Sequence, residues 1–258
     1  FYQGLKAAYE GKFYDVAPVT EDSGSIIKLY QFEIENTDVG LEYKAKLEAL
    51  SSIVASGKIG EASKWNAPHM VAISFGQHLY YPLLSPIKDA VVPLRMRPLA
   101  IGEPSEVRFV EDVMAFYDSP SGKEKLRGLS LYLLRNADNR AKGLGFALAG
   151  NFYPDFLLWL VDDKTGKQWL SFIDPKGIRN LYVSDPKFGL HKEIKQIEKQ
   201  LGDGMISLNS FILSVTTFND LLNVAGSTTK SDLEDRNVLF MDDGGPTYLD
   251  KLLARALT

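Results

Sequence analysis

The chain has 258 residues, 45% hydrophobic and 24% charged, with 21 Gly, 12 Pro and no Cys. That balance excludes disordered, collagen-like and disulfide-stapled classes and, without thiolates, any Cys-ligated zinc site or thiol nucleophile. A net charge of −4 excludes nucleic-acid binding over the whole surface, so such binding needs a local basic patch.

The chain opens on Phe-Tyr-Gln-Gly, with neither Met nor a charged-then-apolar leader, as expected of a piece of a longer protein. Lack of Cys suits a reducing, cytoplasmic setting. Apolar runs such as 156–161 are far shorter than the ~18 residues of a membrane span, so no membrane partner is expected. Residues 18–40 are polar and turn-rich around Glu21-Asp22-Ser23-Gly24. Leu47, Leu50, Ser51 and Val54 predict an amphipathic helix over 41–55, and Met70 to Phe75 predict a buried strand. Prolines at 82, 86, 93, 98 and 104 then mark the best domain boundary, separating an accessory region 1–98 from a domain 99–258.

Beyond that boundary the rhythm is regular. A helix is predicted over 105–118, opened by Pro104 with Ser105 as its N-cap, then a strand over 129–135. Strands over 153–161 and 168–175 flank the turn-like Asp162-Asp163-Lys164-Thr165-Gly166-Lys167. Leu190, Ile194, Ile197 and Leu201 predict a helix over 189–201, followed by a strand over 205–215. The tail holds a short strand from Val238 to Met241 and a helix from Thr247. Helix, three strands, helix, strand is an α/β order.

The 153–161/168–175 hairpin carries the chemistry. Folded symmetrically about Lys164-Thr165, it sets Asp155 opposite Asp174, with Lys176 on the same face. Facing carboxylates repel, and their surroundings (Phe-Tyr-Pro-Asp-Phe-Leu-Leu-Trp and Phe-Ile-Asp-Pro-Lys) are apolar. A divalent cation between them resolves the conflict. A third acid, Glu106, falls at the centre of the stripe Val107, Phe109, Val110, Val113, Met114, Phe116 and Tyr117; the alternative is a first-turn acid favoured by the helix dipole. Glu103 and Glu111 are weaker candidates.

Tyr153-Pro154-Asp155-Phe156 followed by Ile173-Asp174-Pro175-Lys176-Gly177 resembles the PD-(D/E)xK nuclease signature in its D-x-K form. With Gly102 to Val110, Tyr132 to Asn136 and Asn151 to Trp159, the likeness narrows to the C-terminal nuclease region of DEAD/DEAH-box helicases akin to type III restriction endonuclease subunits. It covers roughly 100–215. The resemblance implies a restriction-endonuclease-like αβββαβ core, a mixed central sheet flanked by helices, with an N-terminal accessory region. It implies Mg²⁺ (or Mn²⁺ in its place) on Asp155, Asp174, Glu106 and the Pro175 carbonyl, and Lys176 orienting or activating the attacking water. Asp174 stands where Glu is more common, and Pro175 is unusual inside a strand.

DNA is the expected partner. Arg127, Arg135, Asn136, Asn139, Arg140 and Lys142 precede the Asp155 strand, and Arg179, Lys187, Lys192, Lys195 and Lys199 follow the D-x-K strand, so both basic sets flank the acids. Glu193 and Glu198 offer the plainer reading of a solvated helix face. His69, His78 and His191 lack metal spacing, and Trp159 and Trp169 read as core. No G-x-x-x-x-G-K-[ST] is present, so a helicase motor would lie outside this chain. The expected function is a Mg²⁺-dependent DNA endonuclease module of a helicase-coupled restriction or phage-defence system. The alternatives are an inactive nuclease fold serving as a DNA-docking or assembly platform, and a metal-free carboxylate-pair hydrolase.

Overall fold

A computed structural model describes residues 31–56, 61, 66–67, 70–73, 83–86, 94–97, 103–136, 153–182, 184–223, 228–242 and 247–258. The chain divides into two compact units, one of residues 19–110 and one of 1–18 with 111–258. The division falls inside a helix, Pro104–Asp118, whereas the proline-rich stretch pointed to 98/99.

In the 19–110 unit, β1 (Gln31–Ile34) pairs antiparallel with β5 (Leu94–Arg97). Between them in the chain lie α1 (Asp38–Ala55), β2 (Asn66–Ala67), β3 (Met70–Ile73) and β4 (Leu83–Pro86), the three strands forming an antiparallel sheet. The Thr37 hydroxyl caps α1 by accepting from the Gly40 N–H at 3.1 Å. Tyr43, Leu47 and Leu50, spaced four and three apart, are its buried face. The helix α2 (Pro104–Asp118) begins one residue earlier than predicted. Proline suits its first position because that N–H needs no partner, and Ser105 therefore lies inside the first turn rather than capping it. Phe109 and Val110 are fully buried.

The larger unit continues α2 into α3 (Pro120–Lys125), then β6 (Leu129–Arg135), β7 (Phe156–Asp162), β8 (Gln168–Lys176), α4 (Leu190–Leu201), β9 (Ile206–Ser214), α5 (Lys230–Glu234), β10 (Val238–Phe240) and α6 (Thr247–Ala256). The strands form one mixed sheet in the order β10-β9-β8-β7-β6, parallel across β10, β9 and β8 and antiparallel across β8, β7 and β6. Helices flank it: α4 packs on β9, and α6 on β8, β9 and β10. The α/β class and the mixed sheet are therefore present.

Burial follows position. Every residue of the inner strand β9 is buried, whereas β7 alternates between buried and half-buried. On α4, Leu190, Ile194 and Ile197 face inward, and Gly202 ends the helix with a left-handed φ of 65° that glycine adopts without strain. Asn209 donates its side-chain amide to the Ala256 carbonyl at 3.0 Å, pinning α6 to one face of β9. On the other face, Ile178, Phe188, Ile212, Leu233, Val238 and Phe240 form a core cluster. Since Ile212 is the β9 partner of Asp174, this second face is the one that carries the acid.

Candidate active site

The turn between β7 and β8 sets the register. The Asp162 carboxylate accepts from the N–H groups of Lys164 and Thr165 at 2.9 and 2.7 Å, Gly166 takes φ 72°, and the Asp162 N–H donates to the Lys167 carbonyl at 2.8 Å. Those turn bonds hold the Asp162 carboxyl below the usual carboxylate range. The ladder runs from Val161 facing Gln168 to Phe156 facing Ile173, centred as predicted on Lys164-Thr165. One further step of the same register sets Asp155 opposite Asp174.

The ladder stops there for a chemical reason. The next step would oppose Pro154 to Pro175, and neither can donate a hydrogen bond. Hence β7 begins at Phe156, three residues later than predicted. The Val215 N–H donates to the Lys176 carbonyl at 3.2 Å, so the main-chain groups of Lys176 face β9. Those of Pro175 face the other way, toward the end of β7. Proline is tolerated in β8 because its missing N–H points where pairing has ceased. Continued one step past Phe156–Ile173, the same alternation makes 155/174 a non-hydrogen-bonded position, the kind in which facing side chains come closest.

Each acid has a cation. Lys176, two residues on and on the same face, forms a short ion pair with Asp174. The Arg135 guanidinium meets the Asp155 carboxylate at 3.2 Å and donates to the Asp155 main-chain carbonyl at 2.7 Å. Asn136 completes the clamp: its main-chain N–H donates to the Asp155 carbonyl and its side-chain amide to the Pro154 carbonyl, both at 2.8 Å. The Asp174 side chain is 9% exposed and that of Asp155 22%, so the pair lies at the rim of the core with solvent on one side.

Arg135 and Asn136, expected on a nucleic-acid surface, are thus turned inward on the Pro154-Asp155 segment. Arg135 at the end of β6 offered no sign of this in sequence, because the long β6–β7 connection gives no midpoint from which to fix their register. Arg179 and Lys192 are exposed, while Lys195 is half-buried and bonded to Glu198 at 2.9 Å. Arg140 and Lys142, like His69 and His78, lie outside the described residues. Trp169 is buried, and Trp159 is half-buried with its ring centroid 6.4 Å from that of Tyr132. Glu106 is 5% exposed in the first turn of α2 and belongs to the 19–110 unit, whereas Asp155, Asp174 and Lys176 belong to the other. Among the described residues no three Asp, Glu or His side chains gather into a metal-binding group.

The donor set still suits a hard divalent cation. The carboxylates of Asp155 and Asp174 and the Pro175 carbonyl, which lie near one end of the hairpin, are oxygen donors of the type Mg²⁺ takes. Comparison with known proteins finds no family model, no curated protein and no solved structure that matches this chain. No helix among the described residues is long and apolar enough to cross a membrane.

Proposed function

We propose that the chain is a Mg²⁺-dependent DNA endonuclease module with a PD-(D/E)xK-type site, working with a helicase motor outside this chain. The observation that carries the proposal is the β7–β8 register, whose continuation one step past Phe156–Ile173 would set Asp155 against Asp174, with Lys176 ion-paired to Asp174. Asp155, Asp174 and the Pro175 carbonyl would hold the cation. Bound there, it would polarise a phosphodiester and lower the pKa of a bound water. Lys176 supplies a positive charge next to the acids, suited to offset phosphate charge and to orient the attacking water. The exposed Arg179 and Lys192 lie after the D-x-K strand and suit contact with the DNA backbone. Glu106 lies in the other unit and is assessed by its own variant, Glu106→Gln.

The test is cleavage of supercoiled plasmid with Mg²⁺ by wild type, Asp155→Ala and Lys176→Ala, each checked for folding by circular dichroism. Losses of at least about 100-fold in both variants are expected if these groups act in the reaction. Equal activity in all three, or activity that survives EDTA, would exclude the proposed site.

One observation favours a second reading, a catalytically silent DNA-docking or assembly platform. Both carboxylates already have protein cations, Arg135 and Lys176, so the pair is neutralised without any metal. Under that reading, Mn²⁺ and Mg²⁺ give no thermal stabilisation that depends on Asp155 and Asp174.

A further inference from the structure

Arg135 is held in a way that a strand-end arginine serving a phosphate would not be. Its side chain is 10% exposed and lies over the Phe156 ring, 5.2 Å from the centroid. Nη1 donates to two oxygens of one residue, the carbonyl and the carboxylate of Asp155. An arginine that reads phosphate presents its fork to solvent. Here burial, the ring contact and double donation from Nη1 turn the guanidinium onto an acid of the same sheet.

We infer that Arg135 is the resident counter-charge and positioning residue of the acid pair, fixing Asp155 opposite Asp174 before any cation or substrate arrives. The physical need is plain. Two carboxylates at a non-hydrogen-bonded position repel, and a sheet bearing them side by side is destabilised unless each charge is offset. Asp174 has Lys176 on its own strand. Asp155 has no basic neighbour on β7, and its charge is met from β6. Phe156 and Arg135 are register partners, so the guanidinium can cover the Phe156 ring and still reach back one residue to Asp155. Lysine would keep the charge and could donate twice from one nitrogen, as Nη1 does, but its compact, strongly hydrated ammonium lacks the planar face that covers the Phe156 ring.

This assignment concerns the protein's own ion pair and does not require the nuclease reading, although it bears on it. A cation binding Asp155 would compete with the guanidinium for the same carboxylate, so the stability that Arg135 contributes should shrink once a cation is bound.

The test is a double-mutant cycle on the full chain in EDTA, comparing wild type, Arg135→Gln, Asp155→Asn and the double variant by thermal unfolding. Arg135→Gln should lower Tm by roughly 4–10 °C, the range for leaving a partly buried acid unpaired in a chain of this size. Asp155→Asn in the same chain should recover at least half of that loss. Equal losses with Asp155 and with Asn at 155 would overturn the inference, since Arg135 would then act only as packing. Arg135→Lys, a milder change should the glutamine variant fail to fold, should fall between wild type and Arg135→Gln; a lysine variant as stable as wild type would refute the part assigned to the planar guanidinium over Phe156. A Mn²⁺ arm separates the two proposals. If the metal reading holds, saturating Mn²⁺ narrows the gap between wild type and Arg135→Gln; if Mn²⁺ leaves every variant unchanged, the metal reading fails while the EDTA cycle still decides the role of Arg135.

Discussion

Because the chain contains no cysteine, its central geometry can be tested by a covalent cross-link. Facing residues of a non-hydrogen-bonded antiparallel pair have Cα atoms about 4.5 Å apart, inside the roughly 4.4–6.8 Å span of disulfides. The double variant Asp155→Cys with Asp174→Cys should therefore oxidise to a cross-link without moving the backbone. The closed loop holds about 20 residues, for which constraint of the unfolded chain contributes about 3 kcal/mol. In a unit of this size that corresponds to a Tm roughly 6–12 °C higher in the oxidised form than in the reduced form. Comparing redox forms of one variant cancels the cost of leaving Arg135 and Lys176 without their acids, which both forms share. Thiol titration and intact mass report formation of the bond, and calorimetry reports the gain. Asp155→Cys with Ile173→Cys is the control, since residue 173 presents its side chain to the opposite face. Failure of the 155/174 pair to oxidise, or equally ready oxidation of the control, would refute the register and with it the proposed site.

Other consequences are open to simple measurement. Gly122 sits in α3, where a Cβ would strike the Phe116 carbonyl, so Gly122→Ala should destabilise by about 1–3 kcal/mol in urea denaturation even though the same change in an open helix is worth up to ~1 kcal/mol of stability. His191 is pushed below the ordinary imidazole value of 6.5, first by burial and then by the charges of Lys192 and Arg236, against a hydrogen bond with the Phe188 main chain. Folding therefore favours the neutral ring, the unfolded chain binds more protons, and stability should fall as pH drops through about 6.5. His191→Gln should flatten that slope in urea denaturation between about pH 5 and 7.5, and an unchanged slope would remove His191 as its cause. Burial likewise raises the carboxyl of Glu193, so Glu193→Gln should leave neutral-pH stability unchanged or slightly higher, whereas a clear loss would reveal a favourable partner for its charge.

What sequence could disclose here depended on how far apart the deciding residues lie. The β7–β8 register was legible because one six-residue turn fixes it: Asp162 and Gly166 are turn residues whose placement centres the hairpin, and the facing pairs from Val161–Gln168 to Phe156–Ile173 follow by counting. The stripe on α2 was legible for the same local reason, and Glu106 at its centre is indeed buried. The two short helices were missed although their caps stood in the sequence. Ser119 accepts from the Gly122 N–H ahead of Pro120, and Thr229 with Asp232 forms a capping box; at six and five residues these helices are too short for periodicity to reveal. The division inside α2 escaped notice because a continuous helix carries no composition shift where its neighbours change. Arg135 was named in sequence only as a candidate for nucleic-acid contact, and its pairing with Asp155 was not foreseen. Its partner lies 20 residues away across a connection of no fixed midpoint, so its charge could be counted but its direction could not. Charge placed by a distant strand is the kind of information that only tertiary pairing supplies. For that reason an arginine that composition suggests for phosphate contact is found here turned onto an acid.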